Sequence, residues 1–171
     1  MKSVAQFERV SWKQYCEGRG WDSNELNLTP PTPHMEEYEG IKLPKRATVG
    51  SAGYDFYAPF NIELKVGETI KIPTGIRCKI TNGCVLSLYP RSGLGFKYRL
   101  RLNNTVGIID SDYYNSDNEG HIFIKLSNEG DKSITIKKGE AFCQGMFTEF
   151  CVTFNDSTDG VRNGGFGSTS K

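Results

Sequence analysis

The 171-residue sequence is poor in the residues that build soft metal centres and disulfide frameworks. It has five cysteines, Cys16, Cys78, Cys84, Cys143 and Cys151, an odd and scattered set with no C-x-x-C pair, and only two histidines, His34 and His121. A structural zinc site needs four such ligands at short spacings, so none is expected. The cysteines read as reduced thiols filling the core of a cytoplasmic protein. Long apolar runs are missing too. The first thirty residues carry Lys2, Glu8, Arg9, Lys13, Glu17, Arg19 and Asp22, which interrupt any signal-peptide core. Nowhere does the chain approach the roughly 20 apolar residues of a membrane helix. A soluble, intracellular protein is expected, with no membrane partner. An excess of one charge is also absent: the net charge is +1, and acids and bases are spread evenly with no basic stripe. That argues against a nucleic-acid polymer as partner. A small charged ligand stays open, because a pocket needs only a few placed cations.

What is present is a change of period along the chain. Residues Val4 to about Glu17 place Val4, Phe7, Val10, Trp12 and Tyr15 at mixed helical spacings. This predicts a short helix docked by its aromatic face and ended by Gly18 and Gly20. Thr29-Pro30-Pro31-Thr32-Pro33 predicts a linker, since proline removes donors and fixes φ. Glu36 to Lys45 reads as an irregular approach to the main domain. From Tyr54 to about Phe154 the period becomes two. Ile70 and Ile72 flank Lys71; Ile76, Cys78 and Ile80 alternate with Arg77 and Lys79; Ile122, Ile124 and Leu126 alternate with Phe123 and Lys125; Ile134 and Ile136 flank Thr135. Such alternation is what strands with one buried face require. Turn signals stand between them at Val66-Gly67-Glu68, Asn82-Gly83, Asn128-Glu129-Gly130-Asp131 and Lys138-Gly139-Glu140. Many short strands at this spacing predict an all-β sandwich, jelly roll or barrel, uninterrupted by amphipathic helices. Three segments follow: a helical and irregular extension over 1–45, a β domain over 46–154, and a flexible Gly-rich tail over 155–171. The tail is too polar to bury enough surface to fold alone.

Five stretches carry chemistry: Ala52-Gly53-Tyr54-Asp55-Phe56, Pro90-Arg91-Ser92-Gly93-Leu94-Gly95, Gly107-Ile108-Ile109-Asp110-Ser111-Asp112-Tyr113, Gly139-Glu140-Ala141-Phe142-Cys143-Gln144, and Arg162-Asn163-Gly164-Gly165-Phe166-Gly167-Ser168-Thr169. In the second, Arg91 offers a planar fork of donors, Ser92 a hydroxyl, and Gly93 close backbone approach, all suited to phosphate oxygens. Arg-Ser-Gly also makes an ordinary surface turn. In the third, apolar residues run into Asp110, and a carboxylate there is costly unless paired, exposed or used. It could polarise a water for attack on phosphorus, or simply form a turn. Tyr113 could stack on a sugar or base, or cover the core edge. The last stretch joins a cation, an aromatic ring and two hydroxyls in a Gly-rich loop that is not a Walker loop.

In this order, the five stretches together resemble the homotrimeric dUTPase family. The resemblance runs from about Lys45 to the end of the chain, and the earlier residues look like the longer N-terminal segment of some bacterial and phage members. It implies a jelly-roll or distorted β-barrel and hydrolysis of dUTP to dUMP and pyrophosphate with Mg2+, which supplies dUMP and keeps uracil out of DNA. Asp110 then matches the general base that activates water for attack on the α-phosphorus. Tyr113 matches the ring under the deoxyribose that leaves no room for a 2′-hydroxyl. Asn104 and the backbone of Gly107, Ile108 and Ile109 match the hairpin that reads uracil, with Phe123 among the substrate-binding residues. Arg91, Ser92 and Gly93 match the phosphate turn, Gln144 the residue near the α-phosphate, and Asp55 a magnesium-holding aspartate acting through water. Arg162, Phe166, Gly167, Ser168 and Thr169 match the mobile lid. The resemblance places such sites between subunits of a trimer, with the tail coming from a third chain.

Two departures from the family pattern stand out. Tyr114-Asn115-Ser116-Asp117-Asn118-Glu119 intervenes before Gly120, where the family has Tyr-x-Gly, and reads as a surface loop near the site. Ser170 replaces the glycine that commonly follows the Ser-Thr pair. A dCTP deaminase shares the trimeric site but lacks this tail, so the hydrolase is favoured. A regulatory protein partner, reading nucleotide occupancy as a switch, is a further expectation, with the N-terminal segment and the 115–119 loop as the surfaces to search.

Overall fold

The computed structural model describes residues 2–24, 32–162 and Gly164. The period-two runs fold as antiparallel strands: β1 (Ala5–Arg9), β2 (Lys45–Arg46), β3 (Tyr54–Tyr57), β4 (Ile62–Leu64), β5 (Thr69–Pro73), β6 (Ile76–Ile80), β7 (Cys84–Pro90), β8 (Leu100–Leu102), β9 (Gly107–Ile109), β10 (Phe123–Asn128), β11 (Ile134–Ile136) and β12 (Ala141–Glu149). They pair in the orders β2-β3-β12-β7-β9, β5-β10-β8, β1-β6 and β4-β11, which gives the all-β, jelly-roll-like barrel that the alternation predicts. Each strand turns one set of side chains inward. Ile76, Cys78 and Ile80 of β6 are buried while Lys79 is exposed between them, and Ile124 and Leu126 of β10 flank exposed Lys125. Phe56, Ile62, Ile72, Leu86, Leu88, Leu100, Leu126 and Phe142 form the centre of the core.

The turns are built from the residues that signal them. Asn128 is fully buried and ties three segments together. Its amide donates to the Leu64 carbonyl at 3.0 Å and the Lys132 carbonyl at 2.8 Å, while its oxygen accepts from Gly130 N–H at 3.1 Å. A buried amide with its donors and acceptor all engaged fixes the β10–β11 turn and its contact with β4.

The N-terminal segment departs from the expected helix. Ala5–Arg9 is strand β1, paired with β6 so that Phe7 faces Cys78 and Glu8 faces Arg77. Helix α1 (Trp12–Arg19) begins only after it. The aromatic spacing mimics one helix because it spans a strand and a helix that meet at Val10 and Ser11. Ser11 caps α1 by accepting from Gln14 N–H at 3.1 Å. Gly20 closes the helix in the left-handed conformation with φ 72°, where glycine carries no Cβ penalty. Helix α2 (Pro33–Glu39) replaces the irregular approach expected there; Thr32 caps it and Pro33 opens it, since its missing N–H would be unpaired in any case. These elements are part of the core. Val10, Trp12, Tyr15 and Cys16 are buried, and the Phe7 ring lies 5.7 Å from both Phe56 and Phe147.

His121 is fully buried where α1 meets the strands. Its Nε2 accepts from Gly75 N–H at 2.9 Å, and its ring lies 4.3 Å from Phe123. Burial pushes its pKa down to about 4; Glu119 opposes that shift and Lys71 adds to it. An unfolded imidazole protonates near pH 6.5, so between that pH and about 4 the unfolded chain holds the extra proton. Stability should therefore fall as pH drops through this window, by up to about 3 kcal/mol. Urea titrations from pH 7.5 to 4.5 measure the slope. His121→Gln, which has no titrating ring, is expected to flatten it, and an equal slope in the variant would assign the loss to other groups.

Candidate active site

The sequence-predicted residues fall into two clusters at different ends of one sheet. The first gathers around the far end of β7. Asp55 on β3 stands opposite Gln144 on β12, and Gln144 stands opposite Tyr89 on β7. Arg91 follows β7 directly. Its Nε lies 3.2 Å from Asp55 Oδ1, and its Nη1 donates to the Ala141 carbonyl at 3.3 Å. The Gln144 amide donates to the Pro90 carbonyl at 3.3 Å. Gly53 is needed for this arrangement, since a Cβ there would lie 2.8 Å from the Gln144 side-chain oxygen. Ser92 and Gly93 open helix α3 (Ser92–Tyr98), a short helix where an irregular turn was expected. Both are exposed, and open space surrounds Gly93. Packing does not demand a glycine at this position, which leaves the backbone open to a ligand.

The second cluster lies beyond β9. Asp110 ends that strand and caps a 3-10 helix (Ser111–Asn115) without bonding it through its side chain. Tyr113 on this helix is buried; its hydroxyl donates to the His121 carbonyl at 2.8 Å and accepts from the Asn118 amide at 2.9 Å. Burial, first of all, raises its pKa, so the phenol stays neutral. Arg162 reaches in from the tail. Its Nη2 lies 2.5 Å from Asp110 Oδ2, its Nε 2.8 Å from Asp112 Oδ1, and its guanidinium 5.9 Å from the centre of the Tyr113 ring. Phe123 sits on β10 under Lys71, whose ammonium is 4.2 Å from the ring centre.

Asn104 lies in the connection that crosses between sheets, from β8, which pairs with β10, to β9 (Gly107–Ile109), which pairs with β7. The expected hairpin is thus not a β8–β9 ladder. Asn104 is exposed and Thr105 takes a positive φ of 64°. Ile108 is 55 % exposed, unusual for a large apolar side chain beside a core strand. Phe166, Gly167, Ser168 and Thr169 lie outside the described residues. Sequence reasoning missed the two groups that hold Tyr113, Asn118 and the His121 carbonyl, and the pairing of Asp112 with Arg162. A polar residue five positions after a buried tyrosine is too weak a signal to find them.

The fold is thus an antiparallel barrel with a carboxylate, Asp110, after one strand end and an arginine and a hydroxyl, Arg91 and Ser92, after another. The dUTPase family model matches residues 39–170. A deoxyuridine 5'-triphosphate nucleotidohydrolase of Lactococcus lactis is 46% identical over 133 residues, covering 76% of this chain and 89% of that protein. One from Escherichia coli is 40% identical over 138 residues, covering 75% and 87%. Among solved structures, the Streptococcus mutans dUTPase superposes with a TM-score of 0.63 at 33% identity, over 86% of this chain and 97% of that one. The dUTPase of Staphylococcus aureus phage phi11, described with a structural Mg(II) ion, shares the fold at a TM-score of 0.63 and 18% identity, over 92% and 98% of the two chains. The chain belongs to the dUTPase family.

Gly107 fixes where Asp110 stands. A Cβ at that position would lie 3.1 Å from Leu88 Cβ and 3.2 Å from Leu88 Cδ1. Gly107→Ala should push β9 off β7 and cost roughly 1–3 kcal/mol, the usual penalty for overpacking. Urea denaturation measures it, and an unchanged midpoint would show that β9 has slack.

Proposed function

We propose that the protein hydrolyses dUTP to dUMP and pyrophosphate at a site shared between copies of the chain. The observation that carries this reading is Asp110, a half-exposed carboxylate at a strand end, three residues before a tyrosine ring held rigid from behind. A water beside Asp110 gives up a proton to the carboxylate as its oxygen attacks the α-phosphorus, and the bridging oxygen leaves with pyrophosphate. Tyr113 lies beneath the deoxyribose. Its hydroxyl is already committed, so it meets a sugar with an apolar face that cannot retreat, and a 2′-hydroxyl finds neither room nor a partner. Asn104 and the Gly107–Ile109 backbone read the uracil edge, with Phe123 nearby. Arg91, Ser92 and Gly93 bind the phosphates, and Gln144 orients the α-phosphate. Arg162, with Phe166, Gly167, Ser168 and Thr169, closes the site over base and γ-phosphate. In the resting chain, Arg162 covers Asp110 and Asp112; the triphosphate draws the guanidinium away and frees the base.

Asp55 fits a magnesium site of limited kind. Among the described residues, no three His, Cys, Asp or Glu side chains come together as a metal cage. Magnesium keeps most of its waters and takes one or two carboxylates plus substrate phosphates, so a single, mostly buried aspartate beside the phosphate turn suffices. Bound there, magnesium supplies charge neutralisation of the triphosphate. Asp55 also orients Arg91 through their ion pair.

The distance between the two clusters supports sharing between copies. Ile109 faces Leu86 on β7, which places Asp110 beside Val85, six residues from Arg91. At about 3.3 Å per residue the two stand roughly 20 Å apart along the sheet. One phosphorus cannot touch both, so a neighbouring chain must bring Arg91 to Asp110. The segment after β12 supports such an assembly: Phe150, Val152 and Phe154 alternate and are 49%, 68% and 114% exposed, the pattern of a strand that lacks its sheet. We assign a homotrimer. The surfaces from which a regulatory protein contact was expected, the N-terminal segment and the 115–119 loop, bind each other here, and hydrolysis is the reading that the retained Asp110 supports. Five free thiols suit a reducing, cytoplasmic setting.

Pyrophosphate release with magnesium should be seen with dUTP and not with dCTP, dTTP or UTP. Asp110→Asn should lower kcat by about 10²–10⁴-fold; folded protein inactive on dUTP would sink the assignment. Asp110→Asn and Arg91→Ala should each be inactive alone, yet recover activity when co-refolded, because mixed oligomers pair an intact Asp110 with an intact Arg91. Mixtures as dead as their components would mean that each site is built within one chain.

A further inference from the structure

The six residues that interrupt the family pattern, Tyr114 to Glu119, are gripped at both ends by the N-terminal extension. At the first end, the Tyr114 hydroxyl donates to Glu8 Oε2 at 2.7 Å. Arg77, opposite Glu8 on β6, donates to the same oxygen through Nε at 3.1 Å and Nη2 at 3.0 Å. The Arg77 guanidinium also lies 4.0 Å from the centre of the Tyr114 ring and donates to the Tyr114 hydroxyl. At the second end, Glu119 accepts from Ser11 N–H at 2.8 Å and from the Ser11 hydroxyl at 2.6 Å, at the cap of α1. Between these grips lie Asn118 and the His121 carbonyl, the two groups that hold the Tyr113 hydroxyl. Tyr113 is thus fixed to a frame whose far side is β1 and α1.

We propose that Glu8 and Ser11, acting through Tyr114 and Glu119, are positioning residues that hold the Asp110–Tyr113 segment in its working geometry. The N-terminal extension and the insertion are then two halves of one clasp. The inference rests on the proposed role of Tyr113 as the floor under the sugar. A flat ring rejects a 2′-hydroxyl only while it cannot move back, and the segment that carries it is a short 3-10 helix with poor internal hydrogen bonding. Turn hydrogen bonds within the segment, such as Glu119 N–H to the Ser116 carbonyl at 2.8 Å, hold it locally, and the clasp anchors it from outside. The carboxylates in the clasp show the same grip: the Tyr114 hydroxyl, above all, lowers the pKa of Glu8 against the effect of burial, with Arg77 adding to it. For Glu119 burial is the largest influence and raises the pKa, but the two Ser11 hydrogen bonds bring the net value below its ordinary range.

The test uses the full-length enzyme and three variants. Tyr114→Phe keeps the ring on Arg77 and removes only the hydroxyl; Glu119→Gln weakens the hold on Ser11; Ile134→Val thins the core at β11, which pairs with β4 and not with the extension or the insertion. The readouts are kcat/KM for dUTP and for UTP, and amide hydrogen exchange over 110–121. Tyr114→Phe and Glu119→Gln should speed exchange in that segment and narrow the dUTP/UTP preference by roughly 10-fold or more, since sub-ångström looseness at a reacting centre has effects of that size. Ile134→Val should lower the melting temperature and keep the preference. Unchanged exchange in the clasp variants, or faster exchange with the preference intact, would overturn the proposal. An Ile134→Val preference that falls as far as that of Tyr114→Phe would do the same, by making the effect one of general stability. If the wild-type enzyme does not turn over dUTP, the hydrolase reading fails, and hydrogen exchange alone then decides whether the clasp holds the segment.

Discussion

Strand β7 is hydrogen-bonded on both sides, to β12 along its whole length and to β9 near its start. That double pairing sets the geometry on which the site depends. The strand cannot slip by one residue without turning Leu86 and Leu88 out of the core, so its register is fixed by burial. The same register holds Asp110 at one end and Arg91 at the other, and no side-chain rotation closes a gap of roughly 20 Å. Under the proposed function, a barrel with this strand order presents half of a site at each end of β7. On that proposal, assembly of copies is a requirement of the chemistry and not an addition to it.

The strands were legible in the sequence because burial on one face leaves a period of two, and every run that alternates cleanly became a strand. β1 was not, for a physical reason. It is a short strand with neither face fully buried, Ala5–Arg9 ranging from exposed to half-buried, so its pattern carries little contrast. The spacing of Phe7, Val10, Trp12 and Tyr15 then ran across the junction and imitated a helix. The sequence did hold a signal against that reading. Ser11-Trp12-Lys13-Gln14 has a capping serine with glutamine three residues on, which starts a helix at Trp12 and excludes one through Val10. Thr32-Pro33 carried the same kind of signal for α2.

The candidate site was legible as a set of residue types and illegible as an arrangement. Arg91 with Ser92, and Asp110 with Tyr113, lie close in sequence, so their chemistry can be read locally. That Asp55 faces Arg91 depends on β3, β12 and β7 lying side by side, and strand order leaves no mark on local composition. Arg162 shows the limit most clearly. Its role in the tail follows from resemblance, whereas its resting contact with Asp110 and Asp112 is a long-range pairing across 52 and 50 residues that only the fold reveals.

Backbone strain in the insertion gives the clasp an energetic meaning. Glu119 has a φ of 56°, a conformation that costs a residue with a Cβ roughly 1–2 kcal/mol. Gly120 follows at φ 70°, and a Cβ there would fall 2.7 Å from Tyr114 Cα, so only glycine closes this loop. The strain persists because the Glu119 carboxylate takes two hydrogen bonds from Ser11, each worth roughly 1.5–3 kcal/mol when a charged group is involved. The gain outweighs the strain only while α1 is docked. The loop that supports Tyr113 is therefore ordered together with the docking of the extension.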